Sequence, residues 1–140
     1  MSLANIRRAF RTAYREVIPD LPTQFPNRDF TPPANGVWAA LFVMPAANSV
    51  KTLGRGGDNL QTGITQIDIN VPTLTGVNEL DQYSDLLVDS FWAGRRLVYD
   101  DQVIKIRIAE PSTDRSAEGS AHTVRSVTVY WESESQRTGA

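Results

Sequence analysis

Apolar side chains recur at helical spacing in two parts of the chain. In about residues 3–17 and 77–93 they fall within one arc when successive residues are placed roughly 100° apart. Ser2 is positioned to cap the first helix, Pro19 ends it, and Gly94 follows the second helix as a C-terminal glycine often does. The core-facing positions are Leu3, Ile6, Phe10, Ala13, Tyr14 and Val17 in the first helix and Val77, Leu80, Tyr83, Leu87, Val88 and Phe91 in the second.

Four other segments have the patterns of β-strands. One is apolar on both faces, which is typical of a central strand covered on both sides. The next alternates Ile67, Ile69 and Val71 with polar residues, which is typical of a half-buried strand. The third contains a turn or bulge at Asp100–Asp101. The predicted strands are Val37–Met44, Leu60–Val71, Leu97–Ile108 and Thr123–Glu132, with long loops at 45–59 and 109–121.

The order of these elements predicts the fold class. Helix, strand, strand, helix, strand, strand is an α+β arrangement, with a mostly antiparallel, twisted sheet of four or slightly more strands and both helices packed on one face. Residues 1–132 are expected to form a single domain, because 140 residues and 15.5 kDa suit one core. Residues 133–140 are polar and are expected to form a flexible C-terminal tail.

Composition narrows the possible functions. Lys and Arg number 14 against 16 Asp and Glu, and the net charge of −2 argues against a dedicated nucleic-acid binder. The chain has no cysteine, which excludes disulfides, thiolate metal ligands and a cysteine nucleophile. The charge-free stretch 31–50 is broken by prolines, and its apolar run over 37–44 is too short to span a membrane. No targeting signal is visible, so a soluble protein made in a cytoplasm and without a membrane partner is expected.

No group of residues has the spacing of a catalytic or cofactor site. The glycine-rich segment 53–59 precedes a predicted strand, whereas a phosphate-binding loop precedes a helix. His122 lies near Ser120 but lacks the orienting acid and the oxyanion hole of a nucleophilic site. The aspartates of the second helix recur at helical intervals, not at the alternating positions of a calcium loop. The sequence therefore predicts no enzyme activity, no cofactor and no metal.

Charged residues form a stripe on each predicted helix, basic on the first and acidic on the second. Each stripe is either a solvated helix face or one half of a contact in which arginines pair with aspartates, between the two helices or between copies of the chain. A third alternative for the basic stripe is a grip on phosphates, and the slightly acidic chain favours a protein partner over DNA. Leu86 lies nearly opposite the core-facing arc, and it favours a contact between copies. The candidate interface residues are Arg7, Arg8, Arg11, Arg15, Asp81, Asp85, Asp89, Leu86 and Trp92.

Motifs spread over most of the chain match a known family in order and spacing. They are the arginine-bearing first helix, Asn27–Pro33 (NRDFTPP), Val37–Phe42 (VWAALF), Thr62–Pro72 (TGITQIDINVP), Leu74–Gly76 (LTG), a helix with Leu80, Tyr83, Asp85, Leu86 and Phe91, and a final strand with Val127, Val129, Tyr130 and Trp131. In these motifs the chain resembles the tail terminator, or tail completion, proteins of long-tailed bacteriophages. It departs from them in the polar tail after Trp131 and in the long polar loop 114–122, both outside the predicted core.

The resemblance implies a structural virion protein that caps the head-proximal end of the tail tube as a six-fold ring. Such a ring ends tube polymerisation and forms the interface to the head connector, and genomic DNA passes through its bore without specific binding. The implied partners are further copies of the chain, the tail tube protein and the connector or stopper protein. The implied location is the tail or neck of the virion, after assembly in the cytoplasm of the bacterial host.

If the chain forms such a ring, the polar strand face is expected to line the bore, and the two predicted long loops are expected to contact the tube and the connector. A polar face suits a wet bore, and loops adapt to partners on assembly. The candidate bore-facing residues are Gln66, Asp68 and Asn70, and the candidate tube and connector contacts are Lys51, Arg55, Asp58, Asp114, Arg115 and Glu118.

Two other functions stay open. One is another neck component, such as the stopper between the portal and the tail, although such proteins are richer in strands. The other is a small ligand-binding regulatory domain of ferredoxin-like type, which also combines two helices with four strands. That domain requires the order βαββαβ, whereas this chain begins with a helix, so the tail terminator is favoured.

Overall fold

The computed structural model describes residues 3–26, 28–54, 57–116 and 121–136. Two helices and six strands follow one another in this part of the chain. They are α1 (Leu3–Val17), β1 (Thr23–Gln24), β2 (Trp38–Val50), β3 (Asp58–Pro72), α2 (Asn78–Ser90), β4 (Arg96–Tyr99), β5 (Gln102–Pro111) and β6 (His122–Gln136). The first helix has the bounds predicted from its apolar spacing.

The strands form one mixed sheet, in the order β1–β2–β3–β6–β5–β4. β1 pairs with β2 in parallel, and every other pair is antiparallel. The prediction of about four strands, in the order helix, strand, strand, helix, strand, strand, is therefore wrong. The chain instead runs helix, three strands, helix, three strands.

The two additional strands have physical explanations. β1 has only two residues, in a connector with several prolines, so no alternation of apolar and polar residues could reveal it. The predicted strand over 97–108 is a hairpin, because Asp100 and Asp101 adopt φ values of 47° and 67° and reverse the chain between β4 and β5. Positive φ at both central residues is what a two-residue type I′ turn requires.

Several element boundaries also differ from the sequence pattern. α2 ends at Ser90 rather than near Ala93, because Arg95 donates from Nη1 to the Ser90 carbonyl (2.7 Å) and Gly94, at φ 93°, turns the chain toward β4. β2 continues to Val50, so much of the predicted loop 45–59 is strand. β6 continues to Gln136 into the predicted tail, of which 137–140 lie outside the described residues.

The core lies between one face of the sheet and the inner sides of the helices. Register places Ile67 beside Val127 at its centre, both fully buried. The Phe10 ring of α1 lies with its centroid 6.0 Å from the rings of Phe91 and Trp131. α1 therefore packs against both the sheet and the end of α2.

Neither of the described helices covers the opposite face of the sheet. Four apolar side chains lie side by side across this face, on neighbouring strands, and each is partly exposed: Met44, Ile64, Tyr130 and Ile108. The prediction that the first long strand is central and covered on both sides is therefore wrong. Within the described ranges, the partners of β2 are β3 and the two residues of β1.

The β2–β3 hairpin tip and the β5–β6 loop lie at opposite ends of the sheet. Asp58 at the start of β3 pairs with Gln136, and Pro72 at its end pairs with His122. The β2–β3 hairpin tip thus lies at the end of the sheet where β6 finishes, and the β5–β6 loop lies at the end where β6 begins. At about 3.3 Å per residue, the fifteen residues of β3 separate these ends by roughly 46 Å.

Candidate functional site

A cleft of about 260 Å³ opens beside α1 and is surrounded by arginines. Arg7, Arg8 and Arg11 reach it from α1, because residues three and four apart project from the same side of a helix. Arg28 reaches it from the connector between β1 and β2. The cleft therefore gathers positive charge from two separate elements.

The floor of this arginine cleft is apolar. Leu41 and Val43 line it from β2, and Phe25 lines it from the connector. This part of β2 is open because β1 pairs only with Ala39 and Ala40, and the connector then leaves the sheet. Leu41 and Val43 are only 2% and 6% exposed, so their side chains form the bottom of the cleft rather than its rim.

The arginines of the cleft are not neutralised within the described part of the chain. None of the salt bridges there includes Arg7, Arg8, Arg11, Arg15 or Arg28. The guanidinium carbon of Arg8, in the cleft, lies 5.8 Å from the Tyr99 centroid, and that of Arg15, on the same helix outside the cleft, lies 4.9 Å from the Phe25 centroid. No described carboxylate lines the cleft, so an anionic group would meet a positive field there.

The acidic residues of α2 divide into two groups. Asp81 forms an ion pair with Arg125 (2.5 Å), so it is engaged within the chain. Asp85 and Asp89 are exposed and form no salt bridge with any described residue. No ion pair joins α1 to α2 in the same part of the chain, although the helices pack against each other.

Apolar side chains accompany these acidic residues at the surface. Leu86, between Asp85 and Asp89 in sequence, is 42% exposed on α2. Trp92, just after the helix, is 57% exposed, and the Arg95 guanidinium lies over its ring at 5.1 Å. The predicted interface residues thus form two exposed surfaces, one on the arginine side of α1 and one on the outer side of α2.

Arg125 connects α2 to the segment that follows β5. Its guanidinium binds the carboxylates of Asp114 (2.6 Å) and Asp81 (2.5 Å) and donates to the Ser84 hydroxyl (3.2 Å). The pKa of Arg125 is raised, chiefly because its hydrogen bonds to Asp114 and Asp81 favour the charged form. The beginning of the β5–β6 loop is therefore tied to the helix rather than free.

The three candidate bore-facing residues do not share one environment. The Asp68 carboxylate accepts hydrogen bonds from Ser126 (2.5 Å) and Gln66 (2.8 Å) on the uncovered face of the sheet, with Arg115 at 3.7 Å. Asn70 is 6% exposed, and its amide contacts the Trp38 carbonyl at 3.4 Å. Gln66 and Asp68 therefore lie together on the uncovered face of the sheet. Asn70 is buried near the end of that face.

The candidate loop residues are held at the two ends of the sheet. At the hairpin tip Lys51 pairs with Glu134, and the Asp58 carbonyl accepts hydrogen bonds from the amides of Lys51 and Thr52. Asp114 and Arg115 lie at the other end, on Arg125 and near Asp68. Arg55 and Glu118 lie outside the described residues.

Sequence patterns missed the residues that complete the arginine cleft. Phe25, Arg28, Leu41 and Val43 come from a connector and a strand, and no periodicity relates them to α1. The amphipathic arc of α1 does reveal the arginine stripe itself. The apolar floor could not be inferred, because it depends on β1 ending after two residues.

Catalytic and metal chemistry have little support among the described residues. His122 Nε2 lies 3.2 Å from the Gly36 carbonyl, and its ring stands edge-on to Trp38, while Ser120 lies outside the described part of the chain. No cluster of three potential metal ligands occurs in that part. Neither described helix is long and apolar enough to cross a membrane.

Comparison with known proteins identifies relatives of this chain. A family model described as "Phage tail terminator protein" matches residues 5–131. One solved structure is similar over 95% of this chain and 96% of its own, with a TM-score of 0.75 and 23% sequence identity, which is a likeness of fold. Among curated proteins, no sequence matches.

Proposed function

Since this chain belongs to the phage tail terminator protein family, we propose that it caps the head-proximal end of the tail tube as a ring. The family makes it a structural component of a phage tail. In the proposed role, the ring ends tube polymerisation and presents a second surface to the head connector. The partners are further copies of the chain, the tail tube protein and the connector or stopper.

The positions of the β2–β3 hairpin tip and the β5–β6 loop support this proposal most directly. A terminator must contact the tube on one side and the connector on the other. The hairpin tip with Lys51 and the β5–β6 loop with Asp114 lie at opposite ends of the long strands β3 and β6. One subunit can therefore contact two partners at once without competition between them.

A closed ring requires two different surfaces on each subunit that match each other. Head-to-tail contacts of this kind close into rings when the rotation between subunits divides a full turn. The arginine side of α1 and the acidic side of α2 are two such surfaces. We propose six copies per ring, with Arg7, Arg8, Arg11, Arg15, Asp81, Asp85, Asp89, Leu86 and Trp92 as the residues at or near the contacts.

The open face of the sheet suits the wall of a bore. Gln66 and Asp68 form a hydrogen-bonded polar patch there, beside the apolar row, and Arg115 at 3.7 Å from the Asp68 carboxylate leaves the patch close to neutral. A near-neutral or acidic lumen lets DNA slide, whereas a basic one would bind phosphates through counterion release. We propose that Gln66 and Asp68 face the passing genome, with Asn70 supporting the end of that surface, and that the ring assembles in the host cytoplasm.

Electron microscopy of a phage that carries a nonsense codon in this gene tests the proposed function. Negatively stained lysates should contain overlong, headless tails, and expression of the intact chain from a plasmid should restore normal length. Tails of normal length that stay unattached to filled heads would assign the chain to the connector side instead. Complete virions in the absence of the chain would contradict both roles.

A further inference from the structure

The arginine cleft is complementary to a binding partner that carries both anionic and apolar groups. Guanidinium groups stand around it, and buried hydrocarbon from Leu41 and Val43 forms its floor. A bare phosphate chain would satisfy the arginines but would leave uncovered the accessible apolar lining, to which the half-buried Phe25 and the exposed Pro26 contribute. A peptide surface with carboxylates beside a large aliphatic side chain satisfies both parts.

The outer side of α2 has this composition. Leu86 is 42% exposed, and Asp85 and Asp89 beside it form no ion pair with any described residue. No residue of α2 lines the cleft of its own chain. The two surfaces are thus separate within one subunit and available to meet between subunits.

The spacing of the charges also agrees. Arg7 and Arg11 are four residues apart on α1, and Asp85 and Asp89 are four residues apart on α2. Residues four apart lie about one helical turn from each other, so each pair repeats at roughly 6 Å. Two helices laid side by side can therefore match both arginines to both aspartates in one register.

We infer that the arginine cleft of one copy receives α2 of the next copy, with Leu86 on the apolar floor and Asp85 and Asp89 on the arginines. This inference rests on the proposed ring and identifies its subunit contact. Because the cleft and the acidic helix face are different surfaces, the contact is head-to-tail and can propagate around a closed ring. Asp81, already bound to Arg125, supports α2 from within its own chain.

Cysteine crosslinking in assembled tails tests this contact, because the natural chain contains no cysteine. Ala4 is exposed and lines the cleft, so the variant Ala4→Cys with Leu86→Cys places one thiol on each surface. Mild oxidation or a short bifunctional thiol reagent should give a ladder of covalent oligomers up to the full ring. Each single-cysteine variant should give no ladder, since the contact is head-to-tail.

A matched control uses Ala4→Cys with Leu74→Cys. Leu74 is 98% exposed in the turn before α2 and belongs to neither surface. This pair should not crosslink beyond background. Tails of normal length in which Ala4→Cys with Leu86→Cys gives no ladder would overturn the inference and leave the terminator role intact. Failure of the intact chain to end tube growth would instead contradict the proposed function itself.

Charge reversal gives an independent test through plasmid complementation of the nonsense phage. Arg7→Glu with Arg11→Glu, and separately Asp85→Lys with Asp89→Lys, should each lower the yield of infectious phage at least about tenfold, because like charges would then face each other. The variant with all four changes should recover much of the yield. Arg107→Glu with Asp20→Lys, on exposed residues outside both surfaces, should have little effect.

Two results would overturn the inference in this second experiment. One is full complementation by both reversed variants. The other is a cleft variant that still forms rings but loses binding to short duplex DNA, which would assign the cleft to nucleic acid. Circular dichroism of each purified variant verifies that the changes leave the fold intact.

Discussion

Several individual residues are constrained by a neighbour rather than by their own backbone conformation. Gly63 in β3 is an example, because a Cβ atom there would lie 2.4 Å from Cζ2 of Trp131 and 2.8 Å from the Met44 carbonyl. Trp131 is fully buried and packs its ring over this glycine. The absence of a side chain at position 63 is therefore what allows a tryptophan in the core at that point.

Gly63→Ala should lower the free energy of unfolding by about 1–3 kcal/mol, because the added methyl group overpacks the core. Urea denaturation measures this change. Trp131→Phe removes the indole ring that contains Cζ2. The double variant should therefore lose about 1 kcal/mol less free energy of unfolding than the two single variants lose together. Strict additivity of the two changes would contradict the steric explanation.

Ionisation of Tyr14 should lower the free energy of unfolding at alkaline pH. Its hydroxyl is buried and shares a hydrogen bond with the Thr23 hydroxyl (2.6 Å), and burial raises the pKa of the phenol above the ordinary value of 10.0. The unfolded chain therefore loses this proton at a lower pH than the folded chain. The contribution of the protonated Tyr14 to the free energy of unfolding is complete below about pH 10. It is lost as the pH rises through the pKa that Tyr14 has in the folded chain.

Tyr14→Phe should cost roughly 1 kcal/mol at neutral pH, where the hydrogen bond is lost. Above pH 10, the stability of this variant should fall less steeply than that of the natural chain. Thermal denaturation across pH 8–11 measures the difference, and Tyr130→Phe, at a 38% exposed ring, is the control. Equal slopes for Tyr14→Phe and the natural chain would contradict the role of burial.

At the scale of elements, turns and ends decide which strands exist. The hairpin between β4 and β5 depends on Asp100 and Asp101, which both adopt positive φ at a cost that glycine or asparagine would reduce. α2 ends where Phe91 leaves helical geometry (φ −97°, ψ 58°), and Arg95 satisfies the Ser90 carbonyl at that end. The positive φ values of Asp100 and Asp101 thus convert one predicted strand into two.

Asp100→Asn with Asp101→Gly should raise the free energy of unfolding by about 0.5–1 kcal/mol, because Asn-Gly is favoured in type I′ turns. Asp100→Ala with Asp101→Ala should lower it, since alanine tolerates positive φ poorly. Urea denaturation of the two variants gives the comparison. A loss of stability in the Asn-Gly variant would show that the aspartate side chains themselves hold the turn.

For the whole molecule, the long strands β3 and β6 act as a spacer between two ends. Their pairing extends from Asp58 with Gln136 to Pro72 with His122. In the proposed ring, one end meets the tube and the other meets the connector. The charged surfaces of α1 and α2 would meanwhile join neighbouring subunits, so three kinds of contact use different parts of one small domain.

Short peptide insertions should separate the two axial functions. An insertion after Leu53, in the hairpin tip, and another after Thr113, in the β5–β6 loop, should each block one partner. One should give overlong tails, and the other should give tails of normal length that do not join heads, as scored by negative-stain microscopy of complemented lysates. The same defect from both insertions would contradict the assignment of separate partners to the two ends.

The sequence alone determined the features that depend on local periodicity. The apolar arc of α1 fixed its bounds, the alternation around Ile67 identified the core face of β3, and ordered motifs identified the family. These signals lie within one element or follow chain order, so they can be read without knowledge of the fold. The charge stripes of the helices were visible for the same reason.

Only the tertiary structure decided the features that depend on contacts between distant segments. β1 exists because two residues meet β2, and the cleft has an apolar floor because that pairing stops at Ala40. Asp81 is engaged while Asp85 is available, since Asp81, and not Asp85, reaches Arg125, 44 residues away. Periodicity shows which face of an element is apolar. The segment that packs against that face depends on the free energy of the whole packed chain, to which every other element contributes.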